Sequence, residues 1–171
     1  YAARQHGIPC TVVVPHGNSV EKNAAMRALG VELIEFGDDF QASLEHALEL
    51  AETHSLHFVP SFHPWLIAGV ATYSMELFKA VEGIHTAYVP IGLGSGICGM
   101  IAARDALGLD TRIVGVVSSH ATAYAQSFRA GRLVESPVTT RLADGMACRT
   151  PQPAALEIIG NSGGEVINVG L

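Results

Sequence analysis

Thr86-Ala87-Tyr88-Val89-Pro90-Ile91 runs straight into Gly92-Leu93-Gly94-Ser95-Gly96-Ile97-Cys98-Gly99, and from there into a helix-forming stretch over residues 100–107. The first piece has the β-branched and aromatic character of a strand. Strand, glycines, helix is the order in which chains build a pocket for phosphate. The first turn of a helix has N–H groups without intrahelical partners and carries a partial positive charge, and glycine lets the backbone approach an anion with no Cβ in the way.

Two familiar nucleotide motifs can be tested against the loop. Gly94-Ser95-Gly96-Ile97-Cys98-Gly99 matches the dinucleotide pattern G-x-G-x-x-G. That reading needs a carboxylate at the end of the next strand for the ribose hydroxyls. The next strand, Ile113-Val114-Gly115-Val116-Val117, instead runs into Ser118-Ser119-His120, and Asp110 falls before it, at the wrong end. A triphosphate loop is excluded because no lysine followed by Ser or Thr closes the motif, and the nearest upstream lysine is Lys79. Close helix-to-sheet packing is the plain alternative for these glycines. A tight cluster enclosing Ser95 favours the anion.

Outward from the loop the pattern is α/β. Residues 10–14 read as a buried strand, 19–29 as a helix opened by Ser19 and closed by Gly30, and 31–36 as a strand. Asp38 or Asp39 caps a second helix whose apolar positions Phe40, Leu44, Ala47, Leu48 and Ala51 recur at helical spacing, and a short strand is predicted over 57–59. Pro60-Ser61-Phe62-His63-Pro64 reads as a rigid connector. It divides a segment 1–63 from a segment 64–171. In the second segment a helix is predicted over 65–81, then the strand, loop and helix, a strand over 112–117, a helix over 121–130, an irregular stretch over 131–153, a short helix and a last strand over 165–169. Residues 1–7 read as the end of a helix with its glycine stop.

Composition narrows the partners. With 171 residues, 49% of them hydrophobic and few aromatic, the chain can bury a parallel sheet. A net charge of -6 with ten dispersed Lys and Arg leaves no footprint for nucleic acid or anionic lipid. The uncharged span 84–103 is interrupted by His85, Pro90 and four glycines, so it reads as strand, turn and helix and not as a membrane span. Three scattered cysteines, Cys10, Cys98 and Cys148, and no leader-like opening point to a reducing cytoplasm.

At these residues the sequence resembles the fold-type II pyridoxal-phosphate enzymes, whose fold is that of the tryptophan synthase beta subunit, and most closely the serine/threonine dehydratases, or ammonia lyases. The resemblance runs over Tyr1-Ala2-Ala3 and Ile8-Pro9-Cys10-Thr11-Val12-Val13-Val14-Pro15, over Lys22 and Arg27-Ala28-Leu29-Gly30-Val31-Glu32-Leu33-Ile34, over Val89-Pro90-Ile91-Gly92-Leu93-Gly94-Ser95-Gly96, and over Ala143-Asp144-Gly145-Met146-Ala147. It implies a two-lobed α/β enzyme, a homodimer, whose pyridoxal 5'-phosphate drives loss of the β-hydroxyl and then ammonia from an amino acid. It also implies that backbone N–H groups of Gly92, Leu93, Gly94, Ser95 and Gly96, with the Ser95 hydroxyl, hold the cofactor's phosphate.

The departures carry expectations too. The resemblance places the Schiff-base lysine and the loop gripping the substrate carboxylate before Tyr1, and the hydroxyl facing the pyridine nitrogen after Leu171, so the chain alone is expected to be inactive. Lys22 and Lys79 read as solvated surface groups. Where some relatives bind a divalent cation this sequence has Val117, Ala121 and Ala123, and no metal site is expected. Leu93 and Ser95 stand where the family has glycines, which argues against positive φ at either. Eight histidines show no ligand spacing, and His120, at a strand's carboxyl end, is the one placed for a ligand. Cys98 reads as a small buried hydrophobe and Asp144 as a turn former or a ligand contact. Two other readings stay open: a cysteine-synthase-like relative, and a non-catalytic anion- or nucleotide-binding module.

Overall fold

The computed structural model describes residues 1–140 and 143–170. The chain forms two compact units, Tyr1–Val59 and Pro60–Leu171.

In the first unit a single helical turn, α1 (Ala2–Gln5), precedes β1 (Thr11–Val14), α2 (Val20–Ala28), β2 (Glu32–Glu35) and α3 (Phe40–Thr53). The strands pair in parallel, Thr11 opposite Glu32 and Val14 opposite Glu35. Ser19 accepts the N–H of Lys22 at 3.3 Å and Asp39 that of Ala42 at 2.8 Å, so each helix starts where a short oxygen-bearing side chain can satisfy an orphan donor. Of the two aspartates offered by the sequence, Asp39 is the cap. The segment 57–59 forms no strand, because the two-stranded sheet presents no third partner to it. Only Val14 among this unit's described hydrophobic residues is buried. Polar ties share the work: Ser43 donates to the Phe36 carbonyl at 2.8 Å, and the Phe36 ring stacks on His46 at 3.9 Å.

The second unit opens with α4 (Pro64–Ala80). Pro64 occupies its first turn, where a missing N–H costs nothing, and the His63 ring nitrogen Nδ1 accepts the N–H of Trp65 at 3.2 Å. The connector therefore ends in a helix cap, one residue earlier than the sequence reading had the helix begin. Next come β3 (Thr86–Pro90), α5 (Ser95–Ala106), β4 (Arg112–Ser118), α6 (Ala123–Ala130), one 3-10 turn (Asp144–Met146), α7 (Pro153–Asn161) and β5 (Glu165–Val169). The three strands are parallel in the order β3-β4-β5, and Arg112 and Glu165 form an ion pair at the start of β4 and β5. α5 begins at Ser95 and not near residue 100, so Gly96 and Gly99 lie inside it.

α5 packs on α4 and α7, and α6 on α7 and β5. The core between these helices and the sheet holds Ile91, Ile97, Ile113, Val117, Tyr124 and Ile159, each no more than 1% exposed. In a parallel sheet covered by helices, β4 reads as an almost unbroken apolar run because it has no wet face. Ile113→Ala is expected to lower the unfolding free energy by about 2–5 kcal/mol, measured by urea denaturation followed by far-UV circular dichroism.

Candidate anion-binding site

The last sheet bond before the glycine loop is the Ile91 N–H to the Val116 carbonyl, 2.8 Å, and the first helical bond after it is the Cys98 N–H to the Gly94 carbonyl, 3.0 Å. Between them six consecutive amides, Gly92, Leu93, Gly94, Ser95, Gly96 and Ile97, have no protein acceptor among the described residues. These donors stand at the positive end of α5, a helix of 12 residues. The Ser95 hydroxyl, in the first helical position and half-buried, likewise has no protein partner among the described residues.

The loop's shape is imposed from several sides. Ile91 and Ile97, on either side of it, both reach Gly115 of β4: a Cβ there would lie 2.5 Å from the Ile91 Cδ1 and 3.0 Å from the Ile97 Cδ1. Leu93 turns its side chain toward the core, and its carbonyl accepts the Tyr124 hydroxyl at 2.6 Å. The same hydroxyl accepts the N–H of Gln152, just before α7, at 3.1 Å. Gly94 is the one loop residue at positive φ, 98°, and a Cβ on it would meet the Ala155 Cβ at 2.7 Å and the Tyr124 hydroxyl at 2.9 Å. Leu93 and Ser95 keep negative φ. At Gly92 a Cβ would collide with the Gly145 carbonyl oxygen, so the 143–147 segment that joined the loop in the sequence resemblance also borders it in space. Asp144 accepts the N–H of Gly145 at 2.8 Å, a turn-forming contact.

Other residues singled out by the sequence fall elsewhere. His120 is exposed and bonds Thr139 through Nδ1 at 3.0 Å, and none of its hydrogen bonds goes to the loop. Val117, Ala121 and Ala123 are buried hydrocarbon, and no group of metal-binding side chains occurs among the described residues. Lys22 lies on α2. Lys79 follows Phe78, which lines a cleft with His85 and Thr111 at the start of β3 and β4, the opposite end of β3 from the loop. Tyr73 is a residue the sequence reading passed over: its hydroxyl comes within 3.9 Å of a Cβ built on Gly96. Tyr124 was missed as well, since an aromatic on a short helix reads as ordinary core.

A chain with this loop and this sheet can be placed among known proteins. All of residues 1–171 match the family model described as pyridoxal-phosphate dependent enzyme. The chain belongs to that family. A biosynthetic L-threonine dehydratase of Burkholderia multivorans is 35% identical over 87% of the chain and 30% of its own length, and an L-threonine ammonia-lyase of Geobacter sulfurreducens is 31% identical over 99% and 42%. The processed form of threonine deaminase isoform 2 from Solanum lycopersicum superposes with a TM-score of 0.88 at 26% identity, covering 99% of this chain and 50% of that one. Maize serine racemase gives 0.89, also at 26% identity, over 99% and 51%. The chain thus has the fold of these solved structures, spanning about half of their length and less of the curated relatives'.

The loop fits the phosphate of the family's cofactor: the donors are unpaired, adjacent and at a helix start, and glycine stands where a side chain would collide. Lys79 does not fit the role of a lysine joined to that cofactor, because it is exposed on the last turn of α4, which leads to the start of β3, whereas the loop follows that strand's other end.

Cys98, on the first turns of α5, poses a contest between the helix end, which favours a thiolate, and burial, which opposes it. Burial wins, and the Cys98 thiol is pushed from 9.0 up to about 11; burial likewise takes Cys148 to about 11, partly offset by a hydrogen bond with the Thr150 backbone. Raised thiol pKa values favour the folded state fully below pH 9, and that contribution is lost as the pH climbs through 11. Stability is expected to fall between pH 9 and 11, by roughly 2–3 kcal/mol per thiol at most, in urea melts. At pH 8, iodoacetamide should leave both thiols unmodified until denaturant is added, as read by mass spectrometry.

Proposed function

We propose that this chain is the phosphate-holding part of a serine/threonine dehydratase, which converts L-serine or L-threonine to a 2-oxo acid and ammonia. The observation that carries the reading is the run of six unpaired amides at the start of α5. The proposed binding residues are Gly92, Leu93, Gly94, Ser95 and Gly96, through their N–H groups, with the Ser95 hydroxyl as a further donor.

When bound, pyridoxal 5'-phosphate supplies the electron sink that makes the amino acid's α-proton acidic and lets the β-hydroxyl leave. The chain's own part is to bind and orient. Backbone donors directed at an anion need no reorganisation as it arrives, and the helix end adds a favourable field. The apolar wall of Ile91, Ile97 and Leu93 behind the loop keeps water from competing for the amides on that side.

The small-lobe segment 1–63 and large-lobe segment 64–171 belong to the proposal; the change of compact unit between Val59 and Pro60 supports it. A homodimeric assembly, which the family resemblance implies, and a cytoplasmic setting, to which the three scattered cysteines point, belong to the proposal as well. No described helix is long and apolar enough to cross a membrane.

The loop can be tested with pyridoxamine phosphate, which carries the phosphate and ring but no aldehyde to react with Lys22 or Lys79. In nitrogen-15 spectra its addition, like that of inorganic phosphate, is expected to shift the amides of residues 92–97, while pyridoxamine leaves them in place. Amides that do not respond would sink the assignment. The complete protein containing this segment should release equal amounts of ammonia and 2-oxo acid from L-threonine or L-serine, and failure with both substrates rejects the dehydratase reading.

A further inference from the structure

We infer that Tyr124 is a positioning residue that aims the Gly94 N–H at the bound phosphate, acting through the Leu93–Gly94 peptide. The inference rests on the phosphate reading of the loop. In a planar trans peptide the carbonyl and the following N–H point in opposite directions. The Tyr124 side chain is 1% exposed, and its hydroxyl draws the Leu93 carbonyl inward at 2.6 Å. The Gly94 N–H must therefore point away from the interior, and it has no protein acceptor among the described residues.

A flip of this peptide is otherwise easy. Gly94 already sits at φ 98°, a region where glycine moves freely, and the Leu93 N–H on the preceding side has no backbone acceptor among the described residues. Two contacts keep the phenol where it is. The N–H of Gln152 donates to its oxygen at 3.1 Å, which leaves the hydroxyl proton committed to Leu93, and the Ala155 methyl closes the space beside Gly94. Burial holds the phenol's ionisation far above the ordinary range, so it remains a donor at any working pH.

Tyr124→Phe keeps the ring and removes the donor. Phosphate and pyridoxamine phosphate are then expected to bind the Phe variant roughly tenfold more weakly, the size of one charge-assisted hydrogen bond partly lost. The phosphate-induced shift of the Gly94 amide should collapse while those of Ser95 and Gly96 persist. Gln152→Pro, which takes away the N–H that donates to the phenol at a backbone φ of -76° that proline accepts, should weaken phosphate binding by less than Tyr124→Phe does. A Phe variant that is less stable yet binds with the parent's affinity and an intact Gly94 shift reduces Tyr124 to a packing residue and overturns the inference. Should the Phe variant not fold, 3-fluorotyrosine in the parent decides: its resonance at position 124 must follow the phosphate titration together with Gly94, and a resonance that stays still overturns the inference. A parent chain that binds neither anion overturns the phosphate reading itself, a result distinct from a parent that binds and a variant that binds equally well.

Discussion

Six amides without acceptors among the described residues, placed between a completed sheet bond at Ile91 and a completed helix bond at Cys98, are the constraint around which the second unit is organised. Unpaired backbone donors beside a packed core are costly unless something outside the polypeptide satisfies them. The fold keeps them unpaired by satisfying everything around them. Ile91 and Ile97 converge on a glycine of the neighbouring strand, the Leu93 carbonyl is taken by a buried phenol, and the Gly145 backbone closes on Gly92. No slack remains for the loop to fold back and bond to itself.

The cost of this arrangement is met by packing elsewhere in the same unit. Nearly all buried hydrocarbon among the described residues belongs to the α4-to-β5 half, while the first unit keeps only Val14 wholly inside and leans on helix caps and side-chain ties to backbone. A rigid second unit suits backbone donors, whose aim depends on the position of the whole peptide plane. The first unit carries no comparable demand in its own geometry.

Much of this was legible in the sequence. Ser19 and Asp39 marked helix starts because the chemistry of capping is local, and the strand-glycine-helix order of 86–107 revealed the anion loop because each step needs a different residue type. What escaped the reading depended on distance along the chain. Residues 57–59 look like a strand but find no partner, and strand formation is settled by pairing. The start of α5 at Ser95 was hidden because glycines inside a helix read as loop, and only the packing of α5 on α4 and α7 makes up for their poor propensity. Tyr124 gave no signal, since its partners Leu93 and Gln152 lie 31 and 28 residues away and both contribute main-chain atoms.

β3 stands at the rim of the three-stranded sheet, with Tyr88 67% exposed. The bonds from Arg112 to His85 and from Ile91 to Val116 show that odd-numbered residues of this stretch point their main chain at β4, so Thr86, Tyr88 and Pro90 direct theirs outward. Proline has no hydrogen to give, and here its missing donor falls on the open rim and not in the ladder. Any additional strand laid along β3 would find a donor at Tyr88 and none at Pro90, so annealing of one molecule onto another is cut short just before the glycines. Pro90 thus limits pairing along the outer side of β3 just ahead of the glycine loop.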